Sequence, residues 1–180
     1  EEKFFESMKT WWDNLKLRAS YGSLGNQVVS GNFPYLATYG INSKYGALLG
    51  GKLPVAITAP GLVSPSFTWE TVDQIDLGLD ASFLRNRLNV SFDWYRRNTK
   101  DMLVDGEVLP AVLGAKVPRM NAADLKTLGW ELSLEWNDRL PFGLSYHVKN
   151  VLSDYQSTIT KFNNPTRLIN QYYVGRKLNE

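Results

Sequence analysis

The chain has 180 residues, no cysteine and a single histidine, His147. Without cysteine there are no disulfides, thiolate zinc sites or cysteine nucleophiles, and the compartment stays open, because cytosolic and exported proteins alike can lack it. One imidazole excludes a multi-histidine metal site within the chain. No run of about 18 apolar residues is present, so no transmembrane helix is expected. An excess of one charge is also missing. The 20 basic and 18 acidic residues are spread along the chain and give a formal net charge of +2, which provides no electrostatic footprint for nucleic acid or anionic lipid. The opening Glu1-Glu2-Lys3-Phe4-Phe5 has neither an initiator Met nor the apolar core of a signal peptide, as expected of a mature chain or of a piece cut from a longer one.

Hydrophobic residues make up 43% and charged residues 21%, a balance that favours folding over disorder. The length suits one unit, 1–180. Apolar residues recur with a period of two, which places alternate side chains on one face of a strand. Leu15, Leu17, Ala19 and Tyr21 alternate with Lys16, Arg18 and Ser20. Trp69, Thr71, Ile75, Leu77, Leu79, Ala81 and Phe83 oppose Glu70, Gln74, Asp76, Asp80 and Ser82, with Asp73 as the exception on the apolar side. Leu88, Val90, Phe92 and Trp94 follow a tight turn expected at Asn86-Arg87, and the two runs read as a hairpin. Leu128, Trp130, Leu132, Leu134 and Trp136 form another stripe, and after turn chemistry in Asn137-Asp138-Arg139-Leu140-Pro141 come Phe142, Leu144, Tyr146 and Val148. The expectation is an all-β antiparallel meander of about five strands, near 14–22, 69–84, 87–97, 127–137 and 142–152. The first 13 residues read either as a short helix or as the end of an earlier strand, with Trp11-Trp12-Asp13-Asn14 where a short turn would lie.

The expected connections alternate in length. Those at 22–68, at 98–126 and after about 153 are long, whereas 84–87 and 137–141 are short. Long loops are uncommon in compact domains. They are normal on the outer side of a transmembrane β-barrel, whose other side carries short turns. Tyr21, Trp69, Trp94, Trp130, Trp136 and Tyr146 lie near strand ends on the apolar side, where a barrel places its membrane-interface aromatics. Glu70, Gln74, Asp76, Asp80, Glu131 and Glu135 lie on the opposite side and would line a lumen. An alternating strand also fits a soluble β-sandwich packed on its apolar face, and a soluble carbohydrate-binding sandwich module is the alternative reading. Five strands cannot close a barrel, since the smallest have about eight. On the barrel reading this chain is a segment of the wall of a larger one.

Several motifs carry a family likeness. Leu15-Lys16-Leu17-Arg18-Ala19-Ser20-Tyr21-Gly22-Ser23-Leu24-Gly25-Asn26 resembles the barrel-strand signature of SusC/RagA proteins, a strand ending in Gly-Asn. Trp69-Glu70, Ile75-Asp76-Leu77-Gly78-Leu79-Asp80, Asn86-Arg87-Leu88 and the stretch from Asp93-Trp94-Tyr95 to Asp101-Met102-Leu103 are similar to a second landmark, with Met102 where a Leu is usual. Leu128-Gly129-Trp130-Glu131-Leu132 looks like the next one, and the matches keep their order over 11–155. The resemblance implies a C-terminal β-barrel piece of a TonB-dependent receptor in the bacterial outer membrane, embedded in its lipid. It also implies long extracellular loops, energy supplied through TonB, a SusD-like surface lipoprotein as partner, and oligosaccharides or peptides as cargo. No plug, TonB box or carboxypeptidase-like domain is visible in the sequence.

Tyr35, Tyr39 and Tyr45 in the first loop are candidate contacts, whether to sugar rings, to the lipoprotein or to other loops, as are Val117-Pro118-Arg119-Met120 and Tyr172-Tyr173. Catalysis is not expected. His147 has no nucleophile beside it in the sequence, and Asp76 and Asp80, four apart on a strand, are separated by roughly 13 Å, too far for a glycosidase pair. A glycoside hydrolase would need carboxylates brought together by loops. Neither a cofactor nor a metal is implied.

Overall fold

A computed structural model describes residues 12–26, 34–42, 48, 50–106, 110, 112, 114–164 and 172–178. Strands dominate it: β1 (Trp12–Asn26), β2 (Gly40–Asn42), β3 (Ala56–Thr58), β4 (Glu70–Phe83), β5 (Leu88–Asp105), β6 (Arg119–Arg139) and β7 (Ser145–Lys161). Among the described residues there is no α-helix. The five long strands form one antiparallel sheet in the order β1-β4-β5-β6-β7, while β2 and β3 make a separate hairpin within the first long connection.

The sheet is a single layer, and this overturns the sandwich alternative. A sandwich buries its inner faces against each other. Here the only buried apolar side chains among the described residues are Ala81, Ala123 and Ile159, and Leu17 remains 77% exposed. The β2–β3 hairpin makes its main strand contacts with itself. Among the described residues no long strand pairs with the outer edge of β1 or of β7, so the described sheet is an open segment and not a closed barrel.

The strands overrun the limits that periodicity suggests. β5 continues to Asp105, β6 starts at Arg119 and β7 runs to Lys161, so 106–118 is all that remains of the long connection expected at 98–126. The stretch after 153, expected as loop, is strand for eight further residues. The start of the fifth strand lies later than expected, at Ser145. Phe142 falls in the turn because Gly143 adopts a left-handed φ of 93°, and Leu140 N–H donates to the Leu144 carbonyl at 2.8 Å. Trp12 to Asn14, expected near a turn, belong to β1 and carry a bulge at Asp13, with Trp12 opposite Phe83 and Asn14 opposite Ser82.

The β4–β5 turn is tighter than a simple Asn-Arg corner. Leu84, Arg85 and Asn86 all have φ near +60°, a conformation that costs an L-residue roughly 1–2 kcal/mol each. Side chains support it: the Asp13 carboxylate accepts the Asn86 N–H at 2.8 Å, and Asn137 N–H reaches the Arg87 carbonyl at 2.8 Å.

Candidate functional site

Registers across the four interstrand ladders sort the side chains onto two faces. One face is a band of apolar rows. Leu17, Leu79, Phe92, Leu132 and Leu152 form an unbroken row across all five strands. Toward the short turns lies the row Phe83, Leu88, Trp136 and Val148. Here Trp12 packs on Phe83 with ring centroids 5.0 Å apart, and the Trp136 indole donates to the Tyr146 hydroxyl at 3.2 Å. Toward the long connections, Trp94 stands directly opposite Trp130, and Tyr21 is paired with Ile75 one row further. Five of the six interface aromatics expected from sequence therefore cluster in two groups, one at each limit of the band. Trp12 and Phe83 join the lower group; alternation places Phe83 on this face but gives no sign of Trp12. Trp69 stands apart, beyond the upper limit, with its ring over Gly25.

Beyond the Tyr21 row this face turns polar. Lys100 lies 2.8 Å from Asp73, and the Ser23 hydroxyl donates to the same carboxylate at 2.7 Å. The hydrogen bond from Lys100, aided by Ser23, holds the Asp73 carboxyl below its ordinary range, and the same bond raises Lys100.

The other face is mostly polar, and Glu70, Gln74, Asp76, Asp80, Glu131 and Glu135 all lie on it; toward the long connections it also carries an apolar row of Leu24, Val72, Leu125 and Ile159, with Thr99 among them. Its centre is Arg18. The guanidinium grips Asp80 with two hydrogen bonds, 2.8 and 3.0 Å, and reaches over Gly78 to Asp93 at 3.0 Å. A Cβ on Gly78 would collide with both Arg18 and Asp93, so only glycine leaves room for this crossing. Ser91 donates to Asp80 at 2.8 Å. Gln74 links Arg97 to Asp76 at 3.0 and 2.7 Å, and Ser20 also donates to Asp76. Glu135 pairs with Lys149 at 2.7 Å. Glu131 stands between Asp93 and Ser153 in the register. Next to it, the Tyr95 ring lies where a side chain on Gly129 would be. Open ion pairs of this kind add little stability, because water screens them; their main effect is to fix the orientation of charge on a wet surface.

Glu70 differs from the other five. Its carboxylate accepts Asn26 Nδ2 at 3.0 Å and the backbone N–H of Leu103 at 2.8 Å. The Leu103 amide emerges from two register shifts between Thr99 and Leu103, where Asp101 takes a left-handed φ of 54° and its N–H is capped by Asp124 at 2.9 Å. Asn121 completes a clasp by bonding the Thr68 backbone twice, at 2.9 Å each, and the Asp101 carbonyl at 2.6 Å. Three stretches far apart in sequence, Gly25-Asn26, Trp69-Glu70 and Asp101-Met102-Leu103, thus meet at one point. Alternation flags Glu70 but gives no hint of Asn26 or Asn121, because their roles depend on register.

Among the loop candidates, Tyr35 and Tyr39 are exposed, and Tyr39 immediately precedes β2. Tyr45 lies outside the described residues. Arg119 donates to the Leu103 carbonyl at 3.2 Å. Tyr172 meets Phe162 edge to face at 5.8 Å, with Arg176 over its ring at 5.3 Å.

Residues 10–179 match the family described as TonB dependent receptor-like, beta-barrel. TonB-dependent receptor P26 of Formosa agariphila is 34% identical over 134 residues, 74% of this chain and 13% of that protein. TonB-dependent receptor SusC of Bacteroides thetaiotaomicron is 28% identical over 134 residues, again 74% of this chain and 13% of the relative. The chain therefore spans only a small part of the relatives it matches. A structure of the RagAB peptide importer in a closed-closed state aligns with a TM-score of 0.75 at 26% identity, covering 96% of this chain and 19% of that one. The RagAB peptide transporter aligns at 0.69 and 28% identity, covering 84% and 16%.

Proposed function

The chain belongs to the TonB-dependent receptor-like β-barrel family, and from that premise we propose that its five long strands are neighbouring staves in the wall of a SusC/RagA-type nutrient importer of the bacterial outer membrane. The apolar band faces lipid, and the Arg18–Asp80–Asp93 face lines the lumen. The observation that carries this reading is the band itself, bounded by an aromatic group at each limit, with the short turns beyond one limit and the long connections beyond the other. From Leu88 to Arg96 the band covers nine residues, eight steps of about 3.3 Å that make about 26 Å along the strand, or about 20 Å across the membrane at a tilt of about 40°. Outward reach of the rings extends this toward the roughly 25 Å of a barrel's apolar belt. Exposed to water, the same face would be an apolar patch far larger than soluble monomers keep.

On this reading the short turns are periplasmic and the long connections extracellular. The latter would contact a SusD-like surface lipoprotein, and TonB would energise import through regions that the family places elsewhere in the intact protein. The cargo is a hydrated oligomer, either oligosaccharide or peptide. The peptide class is supported by the RagAB likeness, the oligosaccharide class by what the motif resemblance to SusC/RagA proteins implies, and the acidic and amide groups of the polar face suit both.

Because the chain has no cysteine, single cysteines placed in it report the orientation of the wall, against the intact importer without them as the control. In the intact importer in outer membranes, a membrane-impermeant maleimide should label Asp80→Cys and Ser133→Cys but not Leu79→Cys or Leu132→Cys. Equal labelling of both sets would rule out a lipid-facing band. Uptake of labelled oligosaccharides and peptides by the same cells decides the cargo, and uptake of neither would count against import.

A further inference from the structure

We infer that the two short turns together form a headgroup site for an anionic phospholipid in the leaflet on their side of the membrane. This inference rests on the wall reading above. Although charge is evenly spread along the sequence, the fold gathers it. Arg85, Arg87 and Arg139 line one cleft of about 490 Å³ with Asn86, Asn137, Asp138, Ser145, Tyr146 and His147. Of its carboxylates, Asp138 lies 3.5 Å from Arg87, and Asp13, just outside the lining, is bonded to the Asn86 amide. Arg85 and Arg139 have no carboxylate at ion-pair distance among the described residues. The lining thus keeps two positive charges in excess, counting His147 as neutral. At the opposite ends of the strands several bases are matched, with Lys100 facing Asp73, Arg119 facing Asp105 and Lys161 facing Asp101.

The backbone that carries two of the arginines is also held in place. The left-handed turn at 84–86 is capped by Asp13 and tied to β6 through Asn137, so Arg85 and Arg87 start from a corner fixed against the strand that carries Arg139. Guanidinium binds phosphate oxygens in pairs. Immediately adjoining is the apolar row of Phe83, Leu88, Trp136 and Val148, with the Trp136–Tyr146 pair between row and cleft. A cationic cleft continuous with an apolar wall matches a ligand that has a phosphate at one end and acyl chains at the other. Free phosphate would use only half of it.

Vesicle partitioning tests the inference, using the intact importer transferred from detergent into pure phosphatidylcholine or into phosphatidylcholine with 30% phosphatidylglycerol at low salt. Two excess charges at about fivefold each make the cleft's contribution a roughly 30-fold preference for the anionic vesicles. The triple variant R85Q/R87Q/R139Q should lose that preference while partitioning into phosphatidylcholine unchanged, and R139Q alone should reduce it about fivefold. Partitioning into both vesicle types without an anionic preference, or with a preference the variants retain, would overturn the lipid site and leave the wall reading standing. Failure to partition into either would overturn both. Loss of the preference in millimolar inorganic phosphate would assign the cleft to phosphate alone and overturn the lipid.

Discussion

Removing the Glu70 carboxylate should release the clasp at one backbone amide without disturbing the middle of the sheet. Glu70 accepts Leu103 N–H at 2.8 Å and Asn26 Nδ2 at 3.0 Å, and hydrogen bonds to a charged acceptor contribute about 1.5–3 kcal/mol. Glu70 is half-buried, so water replaces part of the loss on Glu70→Ala, and local opening at Leu103 should become easier by about 2 kcal/mol. Amide hydrogen exchange there should then speed up roughly 30-fold. Glu70→Gln keeps one oxygen for Leu103, and Asn26 can turn its amide to accept from the new NH₂. That variant loses only charge assistance, about 1 kcal/mol, which is roughly a fivefold change. The assay is hydrogen exchange of the chain in detergent micelles, with the Phe92 amide at mid-sheet as the unchanged internal reference. If Leu103 exchanges at the wild-type rate in Glu70→Ala, or equally fast in the alanine and glutamine variants, the clasp does not hold that strand.

Two further outcomes follow from the faces. A Cβ at Gly129 would approach the Tyr95 ring to 2.5 Å, so Gly129→Ala should cost about 1–3 kcal/mol through overpacking, read as a lower urea midpoint in micelles. Tyr95→Ser in the same chain should recover at least half, and additive losses would refute the contact. Leu79→Arg, in the central apolar row, should cost about 2–4 kcal/mol on folding into phospholipid vesicles, whereas Ser133→Arg on the opposite face should be tolerated. Equal losses at the two positions would refute the assignment of faces.

The parts of the fold that could be read from the sequence are those where one face meets an apolar medium. Between Leu15 and Tyr21, Ile75 and Phe83, Leu88 and Trp94, and Leu128 and Trp136, alternation marks the strand because every second side chain must be apolar. Beyond these limits each face mixes polar and apolar side chains. Asn98, Lys126, Ser157 and Thr158 give no period, and so the continuations of β5, β6 and β7 read as loop. The turn at Gly143 was misplaced for a local reason: Leu144 looks like a strand residue, yet its carbonyl closes the turn. On the polar face, sequence named the carboxylates but not Arg18 as the group that joins Asp80 to Asp93, which lies 75 residues away. Pairing register makes that contact, and register is a property of two strands at once. The likeness to SusC/RagA proteins rested on motifs whose physical sense emerges only in the sheet, where Gly78 and Gly129 make room for neighbouring side chains and Gly25 sits beneath the Trp69 ring.

The overrun of the strands determines where motion can begin. Crossing a bilayer takes about 9–11 residues of tilted strand, but β6 has 21, and from Leu128 to Arg119 it extends about 30 Å past the apolar band. On the wall reading proposed above, this stretch is a parapet raised above the lipid, and the clasp of Glu70, Asn121 and Asp101 is built into it. The connection 106–118 then leaves from the top of the parapet and not from the membrane surface.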